Sequence, residues 1–259
     1  MDDLHRGIIH GETMVNASMI NDAGALVPHA YQQMVALIFE ESVARQGMEI
    51  SHLIRDLGVC WVMLAMTIEI CSRVEPGEVL SWSTWQSDRL GKVWRRETEL
   101  RHSDLRPAIR AATFVSLLDV TTRRICRNQE TLDRLNFPQD AKLVENAVSR
   151  TEFNLEDYKE RHIRRIYPSW IDELGHTNNQ RYGEMGYDAL SESKRGPYLK
   201  SLKRIELFFL KELKLGHQVS IRSWETEDKA SVLGFSTYDL APSFVIHTHF
   251  AKDSAGGEL

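Results

Sequence analysis

Asp172 and His176 stand four residues apart in the segment Trp170-Ile171-Asp172-Glu173-Leu174-Gly175-His176-Thr177-Asn178-Asn179-Gln180-Arg181-Tyr182. An imidazole can move a proton near neutral pH, and a carboxylate can orient it. The polar residues around Gly175 read as a turn. Asn178 and Asn179 open helices well, because their side chains accept bonds from unpaired helix N–H groups. Tyr182, Met185, Gly186, Ala189 and Leu190 follow at helical spacing. The segment therefore predicts a strand end, a turn and a helix start. It sets an acid and an imidazole where the helix dipole and free N–H groups favour developing negative charge. Proton transfer beside a polarised carbonyl is the chemistry that suits such a place. The same spacing also fits a capped helix with an incidental surface histidine.

The elements that must position this segment are legible along the chain. A strand is expected near Thr13–Ile20, a turn at Asn21-Asp22-Ala23-Gly24, and a helix from Pro28. Val27, Tyr31, Met34, Leu37 and Ile38 form that helix's apolar stripe, opposite Glu40, Glu41 and Arg45. Gly47 stops it, and a short second helix over 49–57 closes at Gly58. Strands follow at 61–70, 79–85, 93–101 and 111–118, with 123–126 after a turn. Residues 93–101 alternate large and polar side chains, as a half-exposed antiparallel strand does. Residues 127–150 are polar and read as a connector. A second series then begins: a strand over 161–171, the Asp172–His176 turn, a helix from Asn178, and strands near 202–211, 219–225, 230–238 and 244–250. The tail from Asp253 is expected to fray.

Composition bounds the function. The 259 residues are 42% hydrophobic and 27% charged, as in a soluble globular protein. The net charge of -5 offers no general case for nucleic acid. Cys60, Cys71 and Cys126 lack CxxC spacing and read as reduced thiols. No signal peptide or apolar span is evident, so the expectation is a cytoplasmic protein that contacts no membrane.

The two series repeat each other. Ile20-Asn21-Asp22-Ala23-Gly24 resembles Ile171-Asp172-Glu173-Leu174-Gly175, each before a helix, and Gly77–Trp85 resembles Gly216–Trp224. Strand, helix and several antiparallel strands, twice, form an α+β chain with an internal duplication. Two antiparallel sheets, each wrapping a long helix, is the tandem or double hotdog arrangement. The expected domains are 1–135, holding something long and apolar, and 136–259, holding the chemistry. Only the second copy has the acid and imidazole set: Gly24 and Ala25 occupy the neighbourhood of His176, and Arg73 matches Glu212.

On these residues the chain resembles the bacterial and plant acyl-acyl-carrier-protein thioesterases, over roughly residues 10–250. The first half carries the likeness in Trp61–Ile70, Gly77-Glu78-Val79 with Thr84-Trp85, Ala111–Asp119 and Thr122-Arg123-Arg124. The second half carries it in Asp172–Tyr182, with its His-x-Asn-Asn-x-x-Tyr element, and in Phe209–Gly216. The resemblance implies hydrolysis of fatty acyl-acyl carrier protein without a cofactor or a metal. It implies catalytic roles for Asp172, His176 and Glu212. The family's asparagine falls on Leu174, which cannot hydrogen-bond substrate. Asn178 or a backbone N–H would take that contact, which makes Asn178, Asn179 and Leu174 the substrate-binding candidates. A thiol beside the later acid is excluded, because Leu213 stands there.

Glu212 or His176 is then the general base on water, with Asp172 orienting the histidine or a water. A basic rim holding Arg195, Lys200 and Arg204 suits an acidic carrier protein. An acyl-CoA thioesterase and a non-catalytic acyl-thioester-binding protein are the alternatives, and monomer or homodimer is open. His247-Thr248-His249 places two imidazoles on one face of a strand, which reads as a surface strand more readily than a metal site. Cys71 and Cys126 read as strand residues packed in the core. The absence of a Gly-x-Ser-x-Gly elbow argues against a serine α/β-hydrolase.

Overall fold

The computed structural model describes residues 7–139 and 141–251. The chain divides into two compact units, Met1–Asn16 with Tyr31–Arg150 and Ala17–Ala30 with Thr151–Leu259. The tail from Asp253 and the first six residues lie outside the described residues.

The first unit contains strands β1 (Ile9–Met14), β2 (Val59–Ile70), β3 (Val79–Leu90), β4 (Val93–Arg101), β5 (Pro107–Asp119) and β6 (Arg124–Ile125). Their order is β1-β3-β4-β5-β2, antiparallel throughout, with β6 on β5. The first strand lies earlier than the sequence suggests. Its ladder with β3 pairs Ile9 with Thr84 and Met14 with Val79, and Ala17–Met19 is a 3-10 turn. β3 also runs on to Leu90, so the turn begins only at Gly91, where φ is 62°.

Helix α1 spans Pro28–Arg45, as Pro28 predicts, and α2 spans Ile50–Leu57 with Gly58 as its left-handed cap. The first residues of α1 belong to the second unit. The helix is buried on most of its circumference. Leu37, expected inside, joins Glu40, Glu41, Ala44 and Arg45 on the narrow exposed stripe. Phe39 and Val43 of α1 pack with Trp61, Trp94, Val115 and Leu117 in one apolar cluster.

The expected half-exposed strand is not half-exposed: every residue of β4 from Trp94 to Leu100 is buried. Trp94 meets the α1 cluster on one face. On the other face Arg95 donates to the Val144 carbonyl, and Glu97 accepts from the Leu143 N–H at 3.1 Å. Residues 136–150, read from sequence as the opening of the second half, pack here on the first unit. They are preceded by a short helix, α3 (Gln129–Arg134), capped by Asn128. Phe137 and Val144 are buried here, and backbone groups supply the rest of the docking, so only two apolar side chains in a polar stretch mark this packing in the sequence.

The second unit contains β7 (Lys159–Arg165), α4 (Gln180–Asp188), β8 (Leu202–Phe209), β9 (Gln218–Glu225), β10 (Lys229–Ser236) and β11 (Pro242–Phe250). The order is β8-β11-β10-β9-β7, again antiparallel. α4 has 9 residues against 18 in α1, so the second helix is not long. Beyond it, the Ser191 N–H turns to Glu225 at 2.9 Å instead of continuing the helix. α4 lies close on β11. Tyr182 packs edge-on between Phe209 and Phe244, and a Cβ on Gly186 would come within 2.6 Å of the Ile246 side chain. No helix among the described residues is long and apolar enough to cross a membrane.

Candidate active site

The Asp172 turn is built by backbone geometry that the chain uses twice. Oδ1 of Asp172 accepts from the N–H groups of Leu174 at 2.9 Å and His176 at 3.2 Å. Asn21 Oδ1 does the same for Ala23 at 3.1 Å and Ala25 at 2.8 Å. Gly175 and Gly24 follow with φ of 80° and 71°, a conformation that favours glycine. Isolated bridges Ile171–Thr177 and Ile20–Leu26 close both turns. Ala25 is thus the positional counterpart of His176, and a methyl group stands where the second copy has an imidazole.

His176 meets an acid from far along the chain. Its Nε2 lies 3.0 Å from Oε2 of Glu212, and its Nδ1 lies 3.9 Å from Oδ1 of Asp172. The first distance is that of a charge-assisted hydrogen bond. The second is an electrostatic contact only, because 3.9 Å is beyond hydrogen-bond length. The imidazole is 12% exposed and Glu212 35%, so the pair opens to solvent through the carboxylate. Lys214 Nζ lies 3.1 Å from the other Glu212 oxygen.

Two residues of the motif bring Glu212 there. The N–H and hydroxyl of Thr177 donate to the Leu213 carbonyl at 2.8 and 3.0 Å. The Leu213 N–H donates to the Tyr182 hydroxyl at 3.4 Å. Burial pushes the Tyr182 phenol well above its ordinary pKa, so it stays protonated. Thr177 and Tyr182 were not singled out from the sequence as positioning residues. Their place within His-x-Asn-Asn-x-x-Tyr was the available signal.

The expected free N–H groups at the helix start are occupied. Asn178 Oδ1 accepts from Gln180 N–H at 2.9 Å, and the Arg181 N–H bonds the Asn178 carbonyl at 3.0 Å. Asn178 therefore caps α4 with its oxygen, and its NH₂ group is a donor not used by this cap. Asn179 supplies no side-chain cap. Leu174 gives its N–H to Asp172, and its side chain is half-buried.

The basic residues do not form one free rim. Arg204 Nε lies 2.8 Å from Glu206, and Lys194 is buried against the Glu227 carbonyl and the rings of Tyr198 and Phe250. Arg195 is half-buried, and Lys200 and Lys203 are exposed. His247, read as a surface residue, is buried at 7% exposure. Its Nδ1 meets Ser231 Oγ at 2.7 Å and its Nε2 meets Thr151 Oγ1 at 2.9 Å. Burial lowers its pKa to about 4. His249 faces Glu206 at 3.7 Å. Cys71 is exposed just past β2, not packed in a strand, and Cys126 is buried just past β6. Among the described residues, no group of three or more His, Cys, Asp or Glu could hold a metal ion.

No protein-family model and no curated protein matches this sequence. Solved structures do match. An acyl-ACP thioesterase from Bacteroides thetaiotaomicron aligns with a TM-score of 0.82 and 17% identity, over 94% of this chain and 98% of that one. A 12:0-ACP thioesterase from Umbellularia californica gives 0.81 and 12%, over 96% and 98%. A Lactobacillus plantarum protein described as an oleoyl thioesterase gives 0.76 and 17%, over 96% and 97%. The chain has the fold of these proteins along nearly its whole length.

Proposed function

We propose that this protein hydrolyses the thioester of a fatty acyl-acyl carrier protein, releasing the fatty acid. The observation that carries the reading is the His176–Glu212 pair at 3.0 Å, in a fold shared with three thioesterases. The duplicated turn sharpens it, because the copy at Asn21–Ala25 keeps the backbone bonds and lacks the imidazole. We read the duplication as a tandem hotdog arrangement in which the second copy supplies the chemistry.

In this reading a water beside the pair loses its proton to Glu212 or His176 as its oxygen attacks the thioester carbonyl. The Asn178 NH₂ group donates to the developing oxyanion. The tetrahedral intermediate collapses by breaking the C–S bond, and the pair returns the proton to the leaving thiolate. Asp172 positions His176 through the turn and its nearby charge. The exposed Lys200 and the half-buried Arg195 offer positive charge to an acidic carrier, whereas Arg204 is neutralised by Glu206.

Leu174 favours a second reading, in which the protein binds acyl thioesters without turnover. Hydrolysis assays on matched acyl-carrier and acyl-CoA substrates decide between the two. The expected result is turnover that is faster on the carrier and nearly abolished in His176→Ala. Binding without hydrolysis by the wild type would establish the second reading, and full activity in His176→Ala would overturn the site assignment.

A further inference from the structure

Glu212 gives its two oxygens to different partners. Oε2 lies 3.0 Å from His176 Nε2, and Oε1 lies 3.1 Å from Lys214 Nζ. The backbone on both sides of Lys214 is fixed. Leu213, just before it, is held by Thr177 and Tyr182. Residues 214–217 then form a tight turn. The His217 N–H donates to the Lys214 carbonyl at 3.0 Å, the Lys214 N–H donates to His217 Nδ1 at 3.3 Å, and Gly216 takes a φ of 81°. The His217 ring stacks on Tyr238, with centroids 5.7 Å apart. Lys211, the lysine on the other side of Glu212, pairs instead with Asp239. Also facing the pair are Asp172, whose Oδ1 is 3.9 Å from His176 Nδ1, and the Tyr182 phenol, which feels both carboxylates and stays protonated.

An ammonium only donates, so the Glu212 oxygen that faces Lys214 accepts. The proton between Oε2 and Nε2 then has two places to sit, the carboxyl or the imidazole. A positive charge beside Glu212 favours its ionised form, which puts the proton on Nε2. The same charge disfavours an imidazolium, so the ring stays neutral and able to take a further proton. Lys214 is 57% exposed, and an ion pair so open to solvent adds little to folding. Its effect falls on proton affinity.

We infer that Lys214 is a positioning residue of this site: it holds Glu212 as the charged acceptor of the His176 Nε2–H, which leaves the imidazole as the base. The role as base rests on the thioesterase reading, whereas the place of the proton does not. In the reaction the water proton passes to the imidazole as the water oxygen bonds to the thioester carbon. Glu212 stabilises the resulting imidazolium through Nε2–H. The imidazolium returns its proton to the sulfur as the C–S bond breaks.

The test is NMR titration of the full chain with 15N-labelled histidine, beside the pH profile of kcat/KM on an acyl thioester. The His176 signals are assigned by their loss in His176→Ala. In wild type the neutral His176 ring should carry its proton on Nε2. Lys214→Met and Lys214→Gln should fold with an unchanged Tm. Each should raise the His176 titration midpoint by about 0.5–1 pH unit, because losing the positive charge makes the imidazolium easier to form. The acid limb of kcat/KM should rise with it. Lys214→Arg should titrate as wild type, and high salt should narrow the gap between wild type and the neutral variants. A neutral ring protonated on Nδ1, a midpoint unmoved in both neutral variants, or one moved equally in Lys214→Arg overturns the proposal. An acid limb that stays while the midpoint moves overturns the imidazole as the base. A wild type that does not hydrolyse thioesters removes the base with the thioesterase reading, and the ring proton and its midpoint still decide what Lys214 does.

Discussion

Asn21 and Asp172 do the same structural work in two copies of one turn. Each side-chain oxygen accepts from the N–H groups two and four residues ahead, and each turn closes through a left-handed glycine. An amide suffices in one copy, where Ala25 follows. A carboxylate stands in the other, where His176 follows. The difference separates the structural role of position 172 from its electrostatic one.

Asp172→Asn should therefore keep the turn, with a stability change within about 0.5 kcal/mol, while Asp172→Ala should cost about 1 kcal/mol. Hydrolysis should fall by about tenfold in the Asn variant and by about a hundredfold in the Ala variant, because only the latter releases the histidine. Urea unfolding and thioester kinetics check both numbers. Equal rates in the two variants would mean that the charge, not the turn, is what position 172 supplies.

His176 and Glu212 should behave as one unit. His176→Ala and Glu212→Gln should each lower kcat by about 10²–10⁴, and the double variant should be little worse than the slower single one. Multiplicative losses across this cycle would show that the two side chains act separately.

Leu174→Asn should raise kcat about two- to tenfold by adding an amide donor beside the turn. Its backbone N–H remains on Asp172, so the turn should not change. A steady-state comparison decides this, and a rate at or below wild type would show that Asn178 already fills the role.

His247 sets a pH dependence of stability. Burial is the main cause of its lowered pKa, helped by Lys229 and His249 and opposed by Glu206. In the unfolded chain a histidine titrates near 6.5, so between about 6.5 and 4 the unfolded state binds the extra proton. The stabilising contribution is complete above about 6.5 and is lost as the pH falls toward 4. His247→Asn should flatten the Tm profile over this range. An unchanged slope would assign the dependence to another group.

Local features were readable wherever a few adjacent residues determine the backbone. Pro28, Gly58 and the Asp172–Gly175 turn appear where their chemistry puts them, because caps, turns and left-handed positions are decided within four or five residues. Most strands after Gly58 were equally legible, since period-two burial leaves its mark on sequence. β4 was misread for a related reason. Alternation reports that neighbouring residues face opposite ways, and it does not report whether both faces are covered.

The sequence by itself determined the duplicated turn, the single imidazole and its departure at Leu174. Each depends on residue identity at a local position. Only the tertiary structure decided that Glu212 reaches His176, that Asn178 spends its oxygen on α4, and that both faces of β4 are covered. Those facts depend on which backbone groups are already bonded and which strand face is roofed. Thr177 and Tyr182 secure Leu213 from 36 and 31 residues away, and periodicity does not register a contact at that separation.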